Sequence, residues 1–552
     1  MALFEQLKAI YDQGLHGSVV TLANMVLTLS DSNPEVLTYS TKYQTFVYYG
    51  DALLNLKEFK KAEAMFKKAL QFRKSLAKTK GKAQPFPPGE VTSEVDVKYK
   101  THLCLVQLRQ YSQAAAILDS IPAKQRNACI NMALAKVNHL LNGNDRVAIT
   151  CYKEVLRECP FAMDAAQGLL YLGVKAAEVA ALMISGPLNA SNMDWLSLWL
   201  KGHSHVHAKE LSMAISSFKQ IDMKTQLRDS TDVLVSLGEV YYYNGDFQNA
   251  SAVLERAHCL DPLNTKGMDI YAILLGKEKK LKELESVATR LISVNDNVPE
   301  PYIAMGYFCL AAKKGSKAIN FAQKACNLSP YYIESLLLKA TVLFDLKKTQ
   351  EALSYFGEAY KIASYRYEAH KGLVDCYMAM HRTREAIAIA STACKQLGQS
   401  ARGLTLYASV LMKDPLSADK AKPLLEKALK QDPTYLNAVY LLAAVYEQER
   451  LYEKGIELLK KHMEQQTSCR LHQMLGDFLA RTNEHEKALH HFSIALNMDP
   501  SNHKAVEGSQ RVEQQNPESS ESYEVDDIAD SENEGDLEES EVEAVWSDVE
   551  YS

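Results

Sequence analysis

One residue pattern returns along this 552-residue chain at a fixed stride of 34 residues. Its clearest copy consists of Leu234, Leu237, Gly238, Tyr241, Ala250, Leu254, Ala257 and Pro262. Two strides further on, it recurs as Tyr302, Met305, Gly306, Cys309, Ala318, Ala325 and Pro330. Ordinary helical core patterning would not bring small residues and a proline back into phase over such distances. The stride therefore predicts small units of equal size that stack along the chain.

Each unit is predicted to be a pair of antiparallel helices, with small residues where the helices come close. A proline ends each pair, because it lacks the backbone N–H that a continuing helix needs. A period of 34 with this pattern is typical of the tetratricopeptide repeat, so we expect an all-α solenoid, a right-handed superhelix of helix-turn-helix units. The repeat positions predicted in this way are Gly50, Ala62, Gly202, Ala214, Gly238, Ala250, Pro262, Gly306, Ala318, Pro330, Ala340, Ala352, Gly476, Ala488 and Pro500.

The repeat pattern also predicts the domain organisation, and we count twelve to thirteen units. We assign residues 1–190 to N-terminal repeats, with an exposed proline-containing loop at 78–96. Residues 191–502 are assigned to a C-terminal superhelix. The segment 163–186 matches the pattern poorly and is either a hinge or a degenerate repeat. Residues 503–552 are assigned to a disordered acidic tail.

Charge is distributed unevenly between this tail and the repeats. From Glu518 onward there are 15 Asp or Glu and no Lys or Arg, so within a total of −6 the rest of the chain carries +9. Such a segment cannot bury enough apolar surface to fold. It is either a solubilising tail or an interaction segment tuned by phosphorylation. Ser531, Ser540 and Ser547 are the candidate phosphorylation sites, because each has an acidic residue three positions later.

The sequence contains parts of known catalytic and metal-binding motifs, but each lacks a required residue or spacing. The segment His485–His490 opens like a helical zinc site, but its histidines are five residues apart and such a pair requires a spacing of four. Gly398–Leu404 has P-loop glycine spacing, with leucine where the phosphate-binding lysine must be. His203 and His207 share a helix face without a third ligand in view. We therefore expect no catalytic residue, no metal and no cofactor, and predict that the protein is not an enzyme.

Composition argues against several other function classes, although a repeat protein of RNA processing stays an alternative. The ten cysteines are scattered singly, with no CxxC pair, as expected of reduced thiols in an intracellular protein. The most apolar stretch, 161–187, is interrupted by charged residues, so no membrane span is expected. A surplus of +9 is modest, and no basic cluster is interleaved with aromatic residues, so nucleic-acid binding is not expected.

A stacked helical solenoid offers a concave groove lined by its first helices, and this groove is the predicted partner-binding surface. Side chains one residue to either side of the packing positions are expected to point into it. They mix apolar and aromatic residues with a few charges, which suits an extended peptide or a partner's helix. The predicted groove residues are Val235, Glu239, Tyr242, Ile303, Tyr307, Leu310, Leu337, Thr341, Phe344, Lys371, Asp375, Met378, Tyr440 and Glu447.

Several stretches outside the generic repeat carry a more specific resemblance. These stretches are Glu94–Lys100, Ala116–Pro122, Tyr152–Pro160, Asp194–Lys201, Lys266–Tyr271, Leu475–Leu479 and Phe492–Asn502. In this order and phase, together with the acidic ending, they resemble the family of subunit seven of the anaphase-promoting complex, or cyclosome. The resemblance extends over essentially the full length of the chain.

This resemblance implies a non-catalytic scaffold subunit of a ubiquitin ligase that controls mitotic progression. It implies a homodimer formed through the N-terminal repeats, which stacks on other tetratricopeptide subunits and contacts small accessory subunits. It also implies a location in the nucleus and cytoplasm, with spindle association in mitosis. The alternatives are a tetratricopeptide co-chaperone or another peptide-binding adaptor. A co-chaperone would need several basic groove residues, and Lys371 is isolated.

Overall fold

The computed structural model describes residues 3–33, 35–79, 91–140, 144–184, 194–225, 227–414, 417–464 and 467–515. Across these residues all regular structure is helical, with 29 α-helices, two short 3-10 helices and no β-strand. The prediction of an all-α repeat fold is therefore confirmed. No helix in this part of the chain is long and apolar enough to cross a membrane.

Contacts within the chain divide it into two units, Met1–Leu397 and Gly398–Ser552. Unit 1 contains eleven successive helix pairs. Its helices are α1 Leu3–Asp12, α2 His16–Ser32, α3 Tyr39–Asn55, α4 Phe59–Thr79, α5 Glu94–Gln107, α6 Tyr111–Asp119, α7 Ala128–Leu140, α8 Asp145–Glu158, α9 Met163–Tyr171, α10 Ala176–Ile184, α11 Asp194–Ala208, α12 Leu211–Lys224, α13 Thr231–Asn244, α14 Phe247–Leu260, α15 Met268–Lys277, α16 Leu281–Val294, α17 Glu300–Ala311, α18 Gly315–Leu328, α19 Ile333–Asp345, α20 Thr349–Ile362, α21 Tyr367–Ala379 and α22 Thr383–Gln396.

Unit 2 contains three further pairs and a single last helix. Its helices are α23 Ala401–Leu411, α24 Ala421–Gln431, α25 Leu436–Gln448, α26 Tyr452–Met463, α27 Cys469–Arg481, α28 His485–Met498 and α29 His503–Gln515. Helix α29 covers the open end of the α27–α28 pair, because Ala505 and Val512 are buried in the same core as Leu475 and Phe492.

The turn between the two helices of a pair repeats with the same stride as the small residues. Gly245 (φ 93°), Lys279 (58°), Lys313 (59°), Lys347 (64°) and His381 (58°) lie 34 residues apart and all have left-handed backbones. A left-handed residue just past a helix ends it and satisfies its last carbonyls. Glycine adopts this conformation without a steric penalty, whereas the three lysines and the histidine adopt it at a steric cost.

Small residues lie where a large side chain from a neighbouring helix needs room. A Cβ on Gly238 would lie 2.5 Å from Cγ of Leu254, in the second helix of the same pair. A Cβ on Gly306 would lie 2.5 Å from Cδ2 of Leu338, in the first helix of the next pair. An added Cβ would also lie 2.5 Å from a phenylalanine ring at Gly50 and 2.8 Å from one at Gly202 and at Gly476. The predicted alanines are fully buried: Ala62, Ala214, Ala250, Ala318, Ala340, Ala352 and Ala488.

The prolines of the pattern lie just outside the second helices. Pro262 follows the end of α14 by two residues, Pro330 follows α18 and Pro500 follows α28 in the same way. In each case the residue beyond the helix is extended or irregular, so the proline occupies the connection to the next pair.

Sequence reasoning missed or misplaced several elements at the ends of the chain. The pair α1–α2 is a further repeat-like unit, so the described residues form fourteen pairs rather than the twelve to thirteen counted from sequence. Helix α29 extends past residue 502, so the boundary of the tail at 503 is wrong. The candidate phosphorylation sites Ser531, Ser540 and Ser547 lie outside the described residues.

Two predicted irregular segments are largely ordinary helix pairs. The segment 163–186 forms α9 and α10, whose Leu169 and Val179 share one core with Leu134 and Leu200 of the adjacent repeats. The segment thus has the helix pair of a repeat, and a role as a hinge stays a prediction. The predicted loop 78–96 is narrower, because α4 continues to Thr79 and α5 begins at Glu94, and residues 80–90 lie outside the described part of the chain.

Candidate partner-binding surface

The first helices of the central repeats of unit 1 carry an acidic residue in their first turn. These residues are Asp232, Asp269, Glu300, Glu334 and Glu368. A carboxylate at a helix N-terminus is stabilised by the helix dipole, which accounts for the pattern in general. It does not account for Asp269 and Glu334, which are 0% and 3% exposed. Burying a carboxylate is costly unless it is paired or protonated, so these two need specific partners.

Arg366 is the partner of Glu334. It lies just before α21, and its Nη1 is 2.6 Å from Oε1 of Glu334, while its Nε is 3.3 Å from Oε2 of Glu368. The guanidinium carbon lies 4.7 Å from the ring centre of Tyr243 and 5.8 Å from that of Tyr242, both on α13. The side chain of Arg366 is only 3% exposed. One arginine thus joins three first helices, α13, α19 and α21.

The second buried carboxylate is held differently. Oδ2 of Asp269 accepts a hydrogen bond of 2.7 Å from the hydroxyl of Tyr332, while its Oδ1 is buried without a hydrogen-bond partner. Burial, reinforced by the charge of Glu334, raises the pKa of Asp269 to about 8. Burial and the charge of Glu334 also raise the pKa of Glu239 to about 7, although Arg366 opposes the shift. We call the face of unit 1 that is formed by its first helices the inner face. It therefore holds carboxyl groups whose pKa values are raised to near neutral pH.

Contacts within unit 1 also join distant repeats. Arg366 reaches Tyr243 over three intervening first helices. The rings of Tyr111 and Tyr331 are 6.3 Å apart, and Nζ of Lys209 lies 5.6 Å from the ring centre of Tyr365. Arg366 therefore bridges first helices over several repeats, whereas the other two contacts join connections and helix ends of distant repeats. That the face formed by the first helices binds a partner stays a prediction.

The structure brings three of the predicted groove residues together in this bridged region. Glu239, Tyr242 and Tyr307 all lie close enough to Glu334 and Arg366 for the charges of these two residues to shift their pKa values. The tyrosine pKa values are raised, chiefly by burial. Sequence reasoning missed Arg366 itself, because its contacts with α13 cannot be inferred from the spacing of nearby residues.

Other predicted groove residues are in the core and cannot contact a partner in this conformation. Val235 is 6% exposed, Ile303 0% and Leu337 3%, and each packs in a hydrophobic cluster. The prediction is wrong for these three because adjacent helices cover their side chains. Tyr242 is also buried, at 1%, although its ring faces Arg366.

The remaining predicted groove residues, apart from the largely buried Tyr440, are partly or fully accessible, and the binding role of all of them stays a prediction. Within unit 1, Lys371 pairs with Asp375, and the hydroxyl of Thr341 donates to the carbonyl of Leu337 at 2.7 Å. The half-buried residues Leu310, Phe344 and Met378 complete this set. In unit 2, Tyr440 is largely buried, with its hydroxyl 2.9 Å from Oγ of Ser468, and Glu447 is exposed.

A second candidate surface lies on the N-terminal helices. Leu15, Met25 and Leu29 are 55%, 58% and 51% exposed, at spacings that place Met25 and Leu29 on one face of α2. Leu22 lies on this face too. Gly17 has open space around its Cα, with no atom within 4 Å of an added Cβ. A shallow groove runs between this face and Ile10 of α1. We call Leu15, Leu22, Met25 and Leu29 the α2 stripe.

The incomplete metal motifs of the sequence do not assemble into a metal centre in the described residues. Nowhere among them are three or more His, Cys, Asp or Glu side chains arranged to hold a metal ion. His203 packs against Trp199 and Phe218, and burial lowers its pKa to about 4. His491 instead faces His472 of α27, with their Nδ1 atoms 3.1 Å apart.

Comparison with known families supports the repeat assignment. Family models of the tetratricopeptide repeat match residues 44–75, 233–266, 343–410 and 417–481. Among solved structures, the chain is similar to a crystal structure of the APC/C hetero-tetramer Cut9-Hcn1, with a TM-score of 0.54. The alignment covers 92% of this chain and 96% of that chain at 15% identity, so the similarity concerns the fold alone.

Relatives along the full length identify the family. The chain is 40% identical over 560 residues to anaphase-promoting complex subunit 7 of Homo sapiens, covering 100% of this chain and 99% of that protein. It is 26% identical over 531 residues to the subunit 7 of Arabidopsis thaliana, covering 93% and 94%. A shorter match, 26% over 310 residues, is to cell division cycle protein 27 homolog A of the same plant, covering 55% and 42%. The chain therefore belongs to the family of anaphase-promoting complex subunit 7.

Proposed function

We propose that the chain is a non-catalytic scaffold subunit of the anaphase-promoting complex, the ubiquitin ligase that controls mitotic progression. The observation that carries this proposal is the 40% identity to the human subunit 7, which extends over the whole of both chains. The similarity extends over the whole chain and is not confined to one binding site, as expected when a protein acts through an extended surface. A location in the nucleus and cytoplasm, and on the spindle in mitosis, belongs to the same proposal.

Self-association through the N-terminal repeats is the first specific part of this role. In the α2 stripe Leu15, Met25 and Leu29 are largely exposed and Leu22 is half-buried, and exposed apolar surface of this kind commonly marks a protein–protein interface. The open space at Gly17 allows a second helix to approach the α2 backbone closely. A two-fold dimer would place the α2 stripe of one protomer against that of its partner.

Light scattering of the full-length chain tests this dimer. We expect the unmodified protein to have about twice its chain mass of 61.7 kDa, and Met25→Glu with Leu29→Glu to give the monomer. The matched control is Met213→Glu with Met223→Glu, which charges two methionines of α12 that are 54% and 76% exposed and should leave the dimer intact. A dimer that persists in the α2 variant would show that the N-terminal interface lies elsewhere.

The second specific part of the proposed role is stacking on other tetratricopeptide subunits, with contacts to small accessory subunits. Two relatives support it, since the chain also matches the cell division cycle protein 27 homolog A of Arabidopsis thaliana and subunit 3 of Schizosaccharomyces pombe. Proteins that share a repeat geometry can stack on one another as their own repeats do. Mixing the purified chain with the cell division cycle 27 homologue of its own species should give one complex in size-exclusion chromatography. Separate elution at micromolar concentrations would contradict this part.

A further inference from the structure

The surroundings of Arg366 have the composition of a site that recognises a guanidinium group. Two carboxylates, from Glu334 and Glu368, lie 2.6 and 3.3 Å from its nitrogens. Tyr243 places its ring 4.7 Å from the guanidinium carbon. Carboxylates match the planar N–H fork of arginine, and aromatic rings attract its positive charge. We call Glu334, Glu368, Tyr242 and Tyr243 the arginine cage.

The walls of the arginine cage come from parts of the chain that are far apart in sequence. Tyr242 and Tyr243 end the helix α13, whereas Glu334 and Glu368 begin α19 and α21. These helices are separated by whole repeats, so the cage exists only where the inner face curves back on itself. Its two carboxylates, from Glu334 and Glu368, outnumber its one guanidinium. The site therefore favours a cation over a neutral group or an anion.

The cation present is supplied by the chain itself. Arg366 is 3% exposed, so the cage is filled and water has almost no access to the guanidinium. The residue stands just before α21, in the connection between two repeats, and reaches from there to α13. We infer that the inner face of unit 1 contains a guanidinium-binding site, and that Arg366 occupies it in cis. This occupant holds α13 to α19 and α21 and excludes an arginine of a partner from this position.

Removing the occupant tests the inference on the full-length chain. Arg366→Ala should lower the melting temperature and leave the cage empty. Methylguanidinium chloride at about 10 mM should then raise the melting temperature of this variant by about 2 °C or more, with saturation, because a ligand that binds only the folded state stabilises it. Methylammonium chloride at the same concentration should have a smaller effect, since it lacks the planar fork.

Arg382 offers a matched control. Its guanidinium carbon lies 5.1 Å from the ring centre of Tyr377 and its nitrogens pair with Glu385, but its side chain is 47% exposed. Neither Arg382→Ala nor the unmodified protein should gain thermal stability from methylguanidinium. Equal gains in all three proteins, or no gain in Arg366→Ala, would overturn the inference. Adding Glu334→Gln to Arg366→Ala should abolish the gain.

A milder substitution keeps the test decisive if Arg366→Ala does not fold. Arg366→Lys retains the charge but cannot pair with two carboxylates at once while covering the Tyr243 ring. We expect faster amide hydrogen exchange at the end of α13 and the start of α19 in this variant, and no change there in Arg382→Lys. Exchange at α13 that matches the unmodified protein would show that Arg366 does not hold that helix.

Discussion

Replacing Gly238 by alanine tests the close packing on which the repeat depends. An added Cβ would lie 2.5 Å from Cγ and 2.6 Å from Cδ2 of Leu254, about 1 Å closer than an ordinary contact. Leu254 is 0% exposed and cannot move aside into solvent. Overpacking of this kind costs about 1–3 kcal/mol. Inside a helix, alanine is also about 1 kcal/mol more favourable than glycine, and this stabilisation partly offsets the overpacking.

A second glycine separates these two effects. Gly357 lies inside α20 with no atom within 4 Å of an added Cβ, so Gly357→Ala should show the helix gain alone, about 1 kcal/mol of stabilisation. The difference between the two variants then gives the overpacking cost, about 1–3 kcal/mol. Urea midpoints measure the stability difference, and hydrogen exchange should locate the loosening at α13 and α14. Equal stabilisation by both substitutions would refute the packing argument.

Three further substitutions have defined outcomes. Lys347→Gly should stabilise by about 0.5–1 kcal/mol in thermal unfolding, because φ at this position is 64°. Arg256→Ala should lower the free energy of unfolding by about 1 kcal/mol, because the partly exposed guanidinium pairs with Asp222 at 2.9 Å and with Asp229. The loss should be smaller at high salt, and urea midpoints at two salt concentrations measure it. Glu239 has its pKa raised from 4.5 to about 7 by burial, so folding stability should fall as pH rises from about 5 to 8. Glu239→Gln should flatten that fall in melting curves, and an unchanged slope would contradict the shift.

The repeats were predictable from sequence because their constraint is local and repeated. Gly238 and Ala250 are small for steric reasons that recur in every pair, so the pattern is visible without a structure. The pair α1–α2 was missed, because it has no glycine packed against a large side chain and Gly17 lies in open space. A signal for α29 was present, since Gly508 packs against Phe492 as Gly476 does.

The inner face was less predictable. Glu239 and Tyr307 were identified from their position on first helices, but the same rule selected Val235 and Ile303, which are in the core. A repeat pattern fixes which helix a residue is on and not how far the neighbouring helices cover it. Arg366 could not be found from sequence, because its partner Tyr243 is distant along the chain and meets it only through the curvature of unit 1.

Quantitative mass spectrometry of the material that co-purifies with the tagged full-length chain from mitotic cells would show whether the chain is a scaffold subunit. We expect the other subunits of the anaphase-promoting complex in fixed proportion, together with an untagged second copy of the chain. Met25→Glu with Leu29→Glu should remove the untagged copy. Recovery of chaperones in place of the complex, with no other subunit in fixed proportion, would contradict the account and favour the co-chaperone alternative.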